Sequence, residues 1–227
     1  MYEARTKGER TRAALVAAAI KRFAMDGYQR TSVAEVARDV GMTAGAPYRY
    51  FPDKEALFLA AVDADGEEMV KLVRANLFAH LMGQVSTVLG ELTELLSQAL
   101  DDHPLVARVM SGQEPMGPER IHALPNLAAL RSELATFVLF GQRAGRVRPS
   151  LDPAQVALGL ETAVLYQLAY IATLRGSDSQ PDTERWGTLA RLIEIALEPP
   201  PVEPPEAAPS SPVFPMPTTN DEKEQHS

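Results

Sequence analysis

His80, His103 and His122 lack the i,i+4 spacing and acidic companions of a metal site, and the absence of cysteine removes thiolate chemistry, disulfides and sulfur-bound zinc. No Ser-His-Asp set, glycine-rich phosphate loop or paired-carboxylate arrangement stands out; Glu67-Glu68 and Asp101-Asp102 read as solvated helix faces. Neither enzyme activity nor a cofactor is expected. Residues 31–57 are different. Thr31, Tyr48, Tyr50 and Lys54 place hydroxyls and an ammonium at helix ends, a chemistry suited to phosphate oxygens rather than to bond breaking.

The elements that must position these groups are helical. Apolar residues recur at helical spacing from Thr11 to Leu197 with no convincing run of alternation, which predicts an all-α fold of about nine helices. A first helix runs about Glu9 to Met25, with Leu15, Ala19 and Phe23 on one row and Gly27 just past its end. Thr31 or Ser32, the latter followed by Glu35 at capping-box spacing, caps a second that ends near Asp39. Small Ala37, the turn at Gly41, and Val36, Val40 and Met42 make this a helix-turn-helix. Thr43 is expected to cap a third helix reaching Tyr50. A fourth, Lys54 to His80, is the longest and contains Gly66. Further helices are expected at about 84–100, 104–111, 125–145, 153–175 and 183–197.

The string Gly41-Met42-Thr43-Ala44-Gly45-Ala46-Pro47-Tyr48-Arg49-Tyr50-Phe51-Pro52-Asp53-Lys54, behind Phe23-Ala24, Gly27-Tyr28, Thr31-Ser32-Val33 and Val36-Ala37, resembles the tetracycline-repressor (TetR) family of bacterial transcriptional regulators. The resemblance covers residues 9–69, with the helix-turn-helix at 32–51. It implies that Thr43, Ala44, Gly45, Ala46 and Arg49 approach base edges in the major groove, and that Thr31, Ser32, Tyr48, Tyr50 and Lys54 lie among the DNA-binding residues. Arg5, Lys7, Arg10 and Arg12 would add an arm along the DNA backbone or into the minor groove. Pro47 departs from the family pattern, and as the fourth residue after the expected cap it clashes with the Thr43 carbonyl, so distortion of the first turn is expected.

Charge divides the chain. Residues 1–55 carry +3, 56–197 carry −6 and 198–227 carry −5, within a total of −8. Nine prolines between Pro199 and Pro217 mark 198–227 as a disordered acidic tail. No N-terminal signal is read, and the most apolar stretch has only thirteen residues between Glu161 and Arg175, so a cytoplasmic protein without a membrane span is expected.

Residues 70–197 form the second unit. The helix from Pro153 is apolar nearly all round, and the last helix carries a stripe, so the pair can bury one face in its own domain and one in a symmetry mate. Val156, Gly159, Ala163, Trp186, Leu189 and Ile193 are the candidate interface of a homodimer. The family resemblance implies a small-molecule effector among the middle helices, with Leu105, Phe137, Tyr166 and Tyr170 as candidate pocket residues. The expected function is a homodimeric repressor released from a palindromic double-stranded operator by that effector. A ligand-independent regulator or activator, or a helical small-molecule-binding protein with a vestigial DNA head, are the alternatives.

Overall fold

A computed structural model describes residues 6–79, 85–175 and 183–199, with side chains described outside 77–90 and Thr183. The expected tail from 200 onward, Arg5, His80 and Gly176 lie outside the described residues. Everything regular among the described residues is helical, as the periodicity requires.

Helix α1 spans Lys7–Arg30, starting before the expected Glu9 because Thr6 and Glu9 form a reciprocal capping box. The basic residues Lys7, Arg10 and Arg12 therefore sit on the first turns of a helix, not on an extended arm. Leu15, Ala19 and Phe23 are fully buried along one row. Gly27 breaks the helix with φ +78°, and the chain resumes one short turn that Thr31 closes. Ser32 and Glu35 then form a second capping box that opens α2, Val33–Asp39. The Glu35 carboxyl is held below the ordinary glutamate range by the Ser32 hydroxyl and N–H that bond to it. Arg22 reaches from α1 to both oxygens of Asp39, at 2.6 and 2.8 Å, pinning α2 across it and lowering the Asp39 carboxyl pKa.

The third helix differs from expectation. Thr43 caps nothing through its side chain; a single 3-10 turn runs Ala46–Arg49, with Gly45 at its N-cap and no side-chain bond there. Pro47 is the physical reason, since it lacks an N–H, disfavours α geometry at Ala46 and is itself fully buried against the head. Asp53 caps α3, Lys54–Asp65, and Phe58 meets Phe23 and Tyr28 edge-on at 5.0 and 4.9 Å between centroids.

The expected long fourth helix is divided at Gly66 into α3 and α4, Glu67–Ala79. Gly66 keeps right-handed dihedrals, φ −79° and ψ −8°, and the Val70 N–H still reaches its carbonyl, so the joint is a local unwinding rather than a loop. The remaining elements are α5 (Val85–Asp102), α6 (Pro104–Met110), α7 (Pro118–His122), α8 (Pro125–Arg143), α9 (Pro153–Leu174) and α10 (Thr183–Leu197). Helix α7 is an addition to the expected set. Its five residues are too short for apolar periodicity, although Gly117-Pro118 marks its start.

Two cores result. One joins α1, α2 and α3 to Leu105, Val109, Met116 and Leu124; the other fills the space among α4, α5, α8, α9 and α10. Helix α6 serves both, with Leu105 in the first and Val106 in the second. Pro153–Leu174 is, by length and composition, apolar enough to cross a membrane. It instead carries Glu161, 2% exposed, in a network with Arg131 and His122, and packs along α8 as a core helix of the bundle.

Candidate DNA-binding face and effector cavity

The turn from Gly41 to Tyr50 forms one exposed edge of the head. Gly41 adopts φ +70°, the left-handed conformation its type permits, and the Met42 N–H bonds back to the Ala37 carbonyl at 2.8 Å. Thr43, Ala44, Gly45, Tyr48 and Arg49 are exposed, Ala46 and Tyr50 half-buried, and Phe51 sits in the core as a structural aromatic. A Cβ placed on Gly45 would meet nothing within 4 Å, so the backbone itself is accessible there. Tyr48 is 54% exposed despite its large apolar ring. Arg49, beside it, is exposed on the same short turn.

Other candidates have local duties. Thr31 is 2% exposed, and its hydroxyl donates to the Gly27 carbonyl at 2.9 Å; it closes α1 and cannot grip a phosphate from there. Ser32 is exposed but committed to its capping box. Lys54 lies over the Tyr28 ring at 4.3 Å and donates to the Gln29 carbonyl at 3.3 Å, leaving two of its three N–H groups for another acceptor. Arg12 stacks over Phe51 at 4.8 Å, while Lys7 and Arg10 remain exposed on the first turn of α1. The head thus presents hydroxyl, guanidinium and ammonium groups around a short projecting turn, a constellation that defines a helix-turn-helix DNA-binding protein.

Behind the head lies a cavity of about 350 Å³. Its wall is largely apolar, with Met69, Val70 and Val73 from α4, Leu130 and Leu134 from α8, and Leu168 from α9. Of the four pocket residues expected from sequence, Phe137 lines it. Leu105 belongs to the head core; Tyr166 is 68% exposed; Tyr170 meets Trp186 at 6.3 Å between centroids. These three were plausible as apolar residues in the right helices, but the helical faces they occupy point elsewhere. Asp63 and Gly66, at the joint of α3 and α4, also line the cavity. Burial pushes the Asp63 carboxyl above the ordinary aspartate value, while the Asn126 N–H donated to it at 3.0 Å acts the other way. Among the described residues, no group of three His, Asp or Glu is placed to hold a metal ion.

The interface candidates also separate. Trp186 is buried against Tyr166 and Tyr170 in its own subunit, and Ile193 packs on the body core. Val156, Ala163 and Leu189 are half-buried, whereas Gly159 is open, with nothing within 4 Å of a Cβ placed there. Leu158 and Tyr166 on α9, and Leu192 and Ile195 on α10, are the exposed large apolar residues of this region. Which rows of these helices turn outward is not readable from the sequence, because both are apolar on several sides.

Comparison with known proteins agrees with this geometry. Residues 15–61 match the family model described as bacterial regulatory proteins, tetR family. The chain is 28% identical over 198 residues to the "Probable HTH-type transcriptional regulator ArpR" of Pseudomonas putida, covering 80% of this chain and 91% of that one. A further match, to the "Uncharacterized HTH-type transcriptional regulator YuxN" of Bacillus subtilis, is 45% identical but spans only 49 residues, 22% of this chain and 17% of that relative. A TetR-family regulator from Pectobacterium atrosepticum shares the fold with a TM-score of 0.58 at 21% identity, over 86% of this chain and 98% of its own. The head, residues 15–61, thus matches the tetR family, and the chain as a whole is similar to helix-turn-helix transcriptional regulators.

Proposed function

We propose that the protein is a homodimeric repressor that leaves its operator when a small apolar molecule enters the cavity. The observation that carries this reading is the position of Asp63 and Gly66, which line the cavity at the joint between α3 and α4. Helix α3 begins at Lys54 beside the DNA-facing turn, so a displacement at Gly66 is delivered to the head through one rigid helix. Asn126 clamps Asp63 through both its backbone N–H and its side chain, at 3.0 Å each, and the Val106 N–H holds Asp65 at 3.0 Å. Motion of α6 or α8 around a ligand therefore moves α3 as well. A ligand that fits only one spacing of two heads lowers operator affinity by its differential affinity for the two states.

The large apolar residues left exposed on α9 and α10 support the dimer, because two helices of each copy that keep such residues in solvent can bury them in a two-fold four-helix contact. A solved structure described as the molecular basis for control of antibiotic production by bacterial hormones is 27% identical with a TM-score of 0.51, over 86% of this chain and 100% of its own. That likeness supports a ligand-responsive role here. Such a regulator works in the cytoplasm, beside the chromosome. Selection of duplexes from random DNA tests the reading. A palindrome with half-sites about 10 bp apart, or a multiple of that spacing, is expected. Arg49→Ala should alter the selected bases. Selection of no common sequence would contradict the proposal.

A further inference from the structure

The cavity wall carries a charged group that an apolar ligand alone leaves unanswered. The Glu161 side chain is 1% exposed, on α9, and lines the cavity. Its Oε1 contacts His122 Nδ1 at 2.7 Å and accepts from Arg131 Nη1 at 3.3 Å. Its Oε2 is ion-paired with the same Arg131 nitrogen at 3.2 Å but without hydrogen-bond alignment, so among the described residues it is a buried acceptor with no hydrogen-bond donor. Neither Arg131 nor His122 lines the cavity; both stand behind the carboxylate, with Arg131 Nη2 anchored to the His122 carbonyl at 3.0 Å. Buried acceptors of this kind are normally satisfied, and an ionised one most of all.

The other charged groups on the wall point the same way. Asp63, Glu194 and Glu198 line the cavity with Glu161, and Arg146 is the cationic side chain among its lining residues. An acidic ligand would enter against this excess of carboxylates and would meet Glu161 from the side opposite its Arg131 partner, carboxylate against carboxylate.

The geometry points to an effector that is apolar along its length and ends in a hydrogen-bond donor, a hydroxyl or an amine, that donates to Glu161 Oε2, with no carboxylate or phosphate. This inference rests on the effector reading above. It requires that Glu161 select the ligand's head group, and that Arg131 and His122 hold the carboxylate in place.

Titration calorimetry on the full chain with 1-decanol, decylammonium and decanoate, all below micelle formation, tests it because the three differ only at the head group. The alcohol and the amine are expected to bind at least about tenfold more tightly than the acid, as a bond to a charged acceptor implies. Decanoate binding as tightly as the alcohol, or more so, overturns the inference and leaves the effector reading standing. If none of the three binds, both fall. Glu161→Gln should bring alcohol and acid to within about threefold. Since that change strands Arg131, Glu161→Gln with Arg131→Gln is the paired variant. A preference that survives in either folded variant overturns the role of Glu161, and if neither folds the wild-type ratio decides.

Discussion

Asp63 shows how a single residue ties the two halves of the chain together. Its carboxylate accepts the Asn126 N–H and its carbonyl accepts the Asn126 side chain, yet desolvation outweighs these bonds and raises its pKa. A carboxyl whose folded pKa lies above its unfolded value binds its proton more tightly when folded, so its contribution to stability declines as pH rises from about 4 through the raised value. Asp63→Asn keeps an acceptor at the same place and removes the charge. Thermal unfolding from pH 3.5 to 8 should show the variant gaining on the wild type with rising pH, with the gap closing near pH 3.5; a constant offset would assign the effect to something other than ionisation. Residue roles were legible where the partner is three positions away, as for Ser32 with Glu35. They were hidden where the partner comes from another turn of chain, as for Thr31 on the Gly27 carbonyl or Glu114, 86 positions from Tyr28, accepting its N–H at 2.8 Å.

At the scale of elements, the end of α1 is the place where local and distant constraints meet. Gly27 needs its positive φ, and a Cβ there would also stand 2.9 Å from the Arg108 guanidinium and 3.0 Å from Glu114 Oε1. Those two side chains form a largely buried pair at 2.7 Å that fixes the loop after α6 to the head. Gly27→Ala should therefore destabilise the protein by about 2 kcal/mol or more, roughly a 4–8 °C fall in Tm for a chain of this size. An unchanged Tm would mean that the backbone relaxes freely at this joint. Helix periodicity and caps placed α2, α5, α6, α8, α9 and α10 to within a few residues. The 3-10 turn at Ala46–Arg49 was foreseen only as a distortion, because the pattern around Pro47 fixes that an α-helix is disfavoured there and leaves the alternative open.

For the whole molecule, charge and exposure assign different edges to different tasks. The +3 of residues 1–55 is carried by a head whose exposed turn holds Arg49, with Lys7 and Arg10 on the neighbouring helix start, while the remainder of the chain is acidic. One such head offers few phosphate contacts; in the proposed dimer two heads would bind two half-sites at once, and affinity would gain from the linkage without any new contact. That division was legible in the net charge of segments, but which apolar rows of α9 and α10 stay exposed was not, since several rows of both helices are equally apolar in sequence. The most direct measurement is binding of the selected palindrome by wild type and by Leu192→Glu with Ile195→Glu, with mass in solution determined in parallel. The wild type should be a dimer, and the doubly charged variant a folded monomer that loses at least about a hundredfold in operator affinity and roughly half of the salt dependence. A monomeric variant that still binds the palindrome as tightly as the wild type would contradict the two-headed account.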